Sequence, residues 1–72
     1  MKIAIENIET IFQHETDAVL RKIILEEDGD ALHITIERQE DEENVFSLLT
    51  KDQAILLRDN LNTFIKNKLV DS

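Results

Sequence analysis

The sequence has no cysteine, proline, tryptophan or tyrosine, and only one glycine and three phenylalanines among its 72 residues. Without cysteine there is no disulfide and no thiolate metal site, and no thiol argument for an oxidising compartment. The absence of proline and the single glycine predict little irregular loop. Without tryptophan or tyrosine, little is available for stacking on nucleobases. No apolar run approaches the ~20 residues that span a membrane. Met1-Lys2-Ile3-Ala4-Ile5-Glu6 lacks the long apolar stretch of a signal peptide. The expectation is a cytoplasmic protein without a membrane contact.

A chain of this length makes one domain, taken as residues 1–72. Such a domain buries only about 60% of its unfolded surface, so its stability is marginal. The usual supports are disulfides, a metal or a partner chain. With no cysteine and with His14 and His33 far apart in sequence, the partner chain is the support left open.

Charge is plentiful but unevenly placed. The net charge is −8. Residues 26–43 hold nine carboxylates (Glu26, Glu27, Asp28, Asp30, Glu37, Glu40, Asp41, Glu42 and Glu43) against one cation, Arg38. The remaining seven acids and seven bases cancel, so the whole excess sits in that segment. Such a surface repels phosphates and favours basic partners. Direct nucleic-acid binding is therefore not expected.

The clearest element is C-terminal. Thr50-Lys51-Asp52-Gln53 reads as a capping box. Asp52 suits the positive end of a helix dipole, and Lys66 and Lys68 suit its negative end. Ala54, Leu57, Leu61, Phe64 and Ile65 recur at helical spacing, flanked by Ile55 and Leu69. A helix over about 51–68 follows.

The second element is a hairpin. Asp28-Gly29 is a type I′ turn signal, because glycine tolerates positive φ. A two-residue loop there pairs Glu27 with Asp30. It sets Leu25 opposite Leu32, Ile23 opposite Ile34, Arg21 opposite Ile36 and Val19 opposite Arg38 on one, mainly apolar, side. Glu26 with Ala31, Ile24 with His33, Lys22 with Thr35 and Leu20 with Glu37 take the other side. Val45–Leu49 reads as a further strand feeding the helix. Residues 3–13 are ambiguous between strand and helix. Ile3 and Ile5 alternate, whereas Ile5, Ile8 and Phe12 are spaced helically. The preferred reading is a strand broken near Asn7 and a turn at residues 14–17. The expected fold is α+β: an antiparallel four-stranded meander with one C-terminal helix packed on one face. Phe46 and Phe64 are expected in the core.

Several sites can be weighed and set aside. An EF-hand loop with Gly29 at its sixth position would put Ile24 and Thr35 where oxygen ligands belong, so no calcium site is expected. His14 and His33 lack the nearby ligands of a metal site. There is no nucleophile–base constellation and no phosphate loop. No enzyme activity, cofactor or metal is expected.

What is left is an interaction protein. The leading expectation is a small non-enzymatic module that binds another protein and associates with itself. Leu20, Ile24, Ala31 and His33, opposite the expected core side, would form a homodimer face, since one helix cannot cover both sides of a sheet. The alternative is an acidic mimic of nucleic acid that blocks a basic DNA- or RNA-binding protein, as small phage inhibitors do. There the nine carboxylates of 26–43 would be the contacts. The two acidic groups lie about 25 Å apart along a strand at ~3.3 Å per residue.

Overall fold

Two residues, Gly29 and Asp30, join the two longest apolar alternations in the chain, and the sheet is built outward from that turn. The computed structural model describes residues 1–70. It contains β1 (Lys2–Thr10), β2 (Val19–Asp28), β3 (Ala31–Arg38), β4 (Asn44–Leu49) and the helix α1 (Lys51–Val70). The strands form one antiparallel sheet in the order β1-β2-β3-β4. This is the expected α+β meander followed by one helix.

The turn sits one residue later than its sequence signal suggests. Asp28 pairs with Ala31, so Gly29 and Asp30 are the central residues. Gly29 alone among the turn residues has positive φ, 62°, which is the type II′ pattern and not type I′. The reason is steric. A type I′ turn on Asp28-Gly29 would force a side-chain-bearing residue into positive φ, whereas type II′ needs only the glycine there. Every cross-strand pair moves with it: Leu25 faces Ile34, Ile23 faces Ile36 and Arg21 faces Arg38. The slip is an even number of residues, so each side chain keeps its expected side of the sheet.

Residues 2–10 are a strand, with no helix. The break near Asn7 is a β-bulge: pairing passes from Ile5↔Ile23 to Ile8↔Arg21, with Asn7 at φ 60°. Gln39 stabilises the bulge from the β3–β4 connection. The Asn7 N–H donates to Gln39 Oε1 at 2.7 Å, and Gln39 Nε2 donates to Asn7 Oδ1 at 3.2 Å.

Thr50 alone separates β4 from α1. The capping box forms as expected: the Thr50 N–H donates to Gln53 Oε1 at 2.9 Å and the Gln53 N–H to Thr50 Oγ1 at 3.2 Å. The helix packs against the sheet through its first turns, where Ala54 and Ile55 are half-buried. From Leu56 to Leu69 every residue is exposed.

The pairings place Ile3, Ile5, Ile8, Ile23, Leu25, Leu32, Ile34, Ile36, Val45 and Leu49 on one face, here called the isoleucine face. Lys2, Leu20, Lys22, Ile24, Glu26, Ala31, His33, Thr35, Glu37, Phe46 and Leu48 take the opposite face. Among the described residues no apolar residue is buried. The expectation that Phe46 and Phe64 are core residues does not hold, since they are 66% and 59% exposed. Strand alternation turns Phe46 to the charged face, and Phe64 lies on the part of α1 that has left the sheet.

Candidate interaction surface

The only buried residue among those described is a cation. Arg21 is 4% exposed, and it lies on the isoleucine face beside the connection 11–18. Its Nη1 donates to Thr10 Oγ1 at 2.7 Å and to Glu15 Oε1 at 3.0 Å, and its Nη2 donates to Glu15 Oε2 at 2.6 Å. The guanidinium also lies over the Phe12 ring, 3.8 Å from its centroid. Glu15 closes the connection by accepting from the Phe12 N–H at 2.8 Å. The Arg21 hydrogen bonds and the Phe12 N–H hold the Glu15 carboxyl down to about 2. Sequence reasoning placed Glu15 in the turn at residues 14–17 and missed this pair. The signal was Arg21 itself, a lone cation between Val19 and Ile23 on an apolar side, which demands a nearby carboxylate.

A small cavity opens next to this pair, lined by Phe12, Glu15, Arg21, Ile36, Arg38 and Glu43. Its charged groups are already committed to one another. Arg38 donates to Asp41 through Nε at 2.9 Å and Nη2 at 2.7 Å, and also to Glu43. These contacts raise the Arg38 pKa and lower that of Asp41, the Arg38–Asp41 hydrogen bond being the main cause in both. His14, which also lines the cavity, takes part in neither of these ion pairs.

The acidic segment is divided between the two ends of β3, and much of it is paired. Glu26 meets Lys2 at 3.6 Å, Glu27 meets the N-terminal ammonium at 3.5 Å, and Glu37 meets Lys22 at 3.0 Å. The Glu37 hydrogen bond raises the Lys22 pKa. With Asp41 and Glu43 on Arg38, five of the nine carboxylates have a cation. Among the described residues, Asp28 and Asp30 at one end and Glu40 and Glu42 at the other have none. Asp41 and Glu43 also shape their turn: the Glu43 N–H donates to Asp41 Oδ1 at 3.1 Å, and Glu42 takes φ 62°. Their roles are structural as well as electrostatic.

Leu20, Ile24, Ala31 and His33 share the charged face; Ile24 lies between the Lys2–Glu26 and Lys22–Glu37 pairs, His33 is level with Glu26, and Leu20 and Ala31 lie beyond them. Leu20 is 47% exposed, and the other three are half-buried. His33 packs edge-on against Phe46 at 5.1 Å, and its Nε2 is buried without a hydrogen-bond partner. His14 lies near Phe12, ring centroids 6.3 Å apart. Among the described residues, no three His, Asp or Glu side chains converge as a metal site, and no helix is long and apolar enough to cross a membrane.

The larger surface is apolar. Ile3, Ile5 and Val45 on the isoleucine face are 46%, 49% and 53% exposed. On α1, Leu57, Leu61, Phe64 and Ile65 form a stripe that is 41–59% exposed. The chain exposes 5,974 Å² in all. A folded monomer of its 8.4 kDa mass is expected to expose about 4,600 Å². The excess is therefore roughly 1,400 Å² per chain.

Comparison of the chain with protein-family models, curated proteins and solved structures finds no match.

Proposed function

We propose that this chain is a non-enzymatic protein–protein interaction module that first associates with a copy of itself. The observation that carries the reading is the exposure of both apolar surfaces, the isoleucine face and the α1 stripe, with no apolar residue buried among those described. Isolated exposed apolar residues are ordinary. Two contiguous stripes on one small chain mark association surfaces. The pairing of the charged groups around Arg21 and Arg38 supports a structural rather than a catalytic role for the one ionisable cluster.

Sedimentation velocity from 1 to 100 μM tests this reading. The expected result is a dimer over the upper part of that range. A folded monomer at 100 μM would overturn it.

A second reading rests on Asp28, Asp30, Glu40 and Glu42, the four carboxylates without a cation, at opposite ends of β3. They favour a partner with a basic surface, in the manner of a nucleic-acid mimic. Neutralising these four leaves Asp41 and Glu43 on Arg38. A partner captured from the native host at low salt should then be lost if the acids make the contact, and kept if they serve solubility alone.

A further inference from the structure

The apolar stripe of α1 and the isoleucine face are both open on the same chain. Thr50 is the whole connection, and α1 leaves the sheet after its first turns, with every residue from Leu56 to Leu69 exposed. We propose that two copies exchange helices, the α1 stripe of each chain lying across the isoleucine face of the other. This rests on the self-association reading above and specifies its surface.

Three observations carry it. The first is area. An excess of roughly 1,400 Å² per chain, twice over, gives about 2,800 Å² for a pair, within the range of obligate homodimers. The second is fit. The 20 residues of α1 extend about 30 Å. Four strands at ~4.8 Å make a face about 19 Å wide, so one helix reaches across it.

The third is charge. Residues 51–70 hold four cations (Lys51, Arg58, Lys66, Lys68) and two acids (Asp52, Asp59), a net +2. Residues 1–50 hold thirteen acids and four cations, a net −9. Helix against helix would set two net-positive segments together, whereas helix against sheet brings together segments of opposite net charge, although Glu26 and Glu37 lie on the opposite face and Arg21 and Arg38 are already paired. A two-fold exchange covers both surfaces at once. The charged face, with Leu20, Ile24, Ala31 and His33, stays toward solvent in this arrangement.

The chain supplies its own probes. It has no cysteine and ten isoleucines: six on the isoleucine face (Ile3, Ile5, Ile8, Ile23, Ile34 and Ile36), Ile11 in the β1–β2 connection, Ile24 on the opposite face, and Ile55 and Ile65 on α1. Asn62→Cys puts a nitroxide beside the α1 stripe without replacing any apolar residue. That chain, in excess, is refolded with wild type carrying methyl-labelled isoleucine. Only a label on a partner then broadens the observed methyls. The expected result is loss of most of the Ile5, Ile23, Ile34 and Ile36 signal, with Ile24 affected much less. A dimer in which the broadening centres on Ile55 and Ile65, or on Ile24, would overturn helix exchange while leaving self-association intact. So would a dimer broadened only at the outer strands. A monomer in the same tube overturns both. As a second arm, Phe64→Asp should abolish the dimer, whereas Ile24→Lys should keep it. A dimer retained in Phe64→Asp contradicts the exchange.

Discussion

If association covers the surfaces this chain leaves open, dilution should unfold it. The perturbation is protein concentration alone. An interface of about 2,800 Å² belongs to the class in which a folded monomer is often absent, so folding and dimerisation become one equilibrium. For such an equilibrium each tenfold dilution removes about 1.4 kcal/mol of apparent stability per dimer. Between 100 and 1 μM the loss is about 2.7 kcal/mol. With a urea dependence of ~2 kcal/mol per molar, the midpoint should fall by roughly 1.4 M over that range. Circular dichroism at 222 nm in matched path lengths reads it, because α1 supplies the helical signal. Superimposed cooperative curves at both concentrations would refute the reasoning. They would mean that a chain with no buried apolar residue among those described folds alone, and that the open faces are only surface.

Three further predictions concern the fold itself. Gly29→Val should cost on the order of 1–2 kcal/mol, since φ is 62° there and nothing lies within 4 Å of the added Cβ, so the strain is purely backbone; an unchanged urea midpoint would mean the type II′ turn is misplaced. Thr50→Ala should cost about 1 kcal/mol by removing the acceptor for the Gln53 N–H, and the same titration measures it; no shift would place the start of α1 elsewhere. Acid should destabilise the domain through Glu15. Its folded pKa of about 2 lies below the ordinary 4.5, so the pair stabilises fully above pH 4.5 and loses its contribution as pH falls toward 2. Glu15→Gln should flatten the stability profile in that window, and an identical slope in the two proteins would remove Glu15 from the account.

Much of the fold was legible because it is local. Thr50 and Gln53 cap α1 as their spacing requires, since a capping box needs only four consecutive residues. The two sides of the hairpin were readable from alternation, and they survived an error in the turn because that error moved the register by an even number. Asn7, suspected as a break, is the bulge residue. The turn itself was misread because Asp28-Gly29 and Gly29-Asp30 both satisfy the short-range pattern. The choice between them depends on which residue must hold positive φ once the strands are paired.

The site was less legible, for reasons of distance. Glu15 and Arg21 are separated by a connection whose path no local rule fixes, so their pairing appeared only with the strands in place. Nine carboxylates looked like one acidic segment in the sequence. Pairing with Lys2, Lys22, Arg38 and the N-terminus, most of them brought together across strands, leaves four without a cation. Local pattern was enough for the hairpin, its two sides and the helix, because periodicity and capping are properties of neighbouring residues; it left residues 3–13 ambiguous and put Phe46 on the wrong side. Whether those apolar sides meet was a matter for the tertiary structure alone. A one-residue connection aims α1 away from the sheet after its first turns, and no pattern of apolar residues encodes that angle.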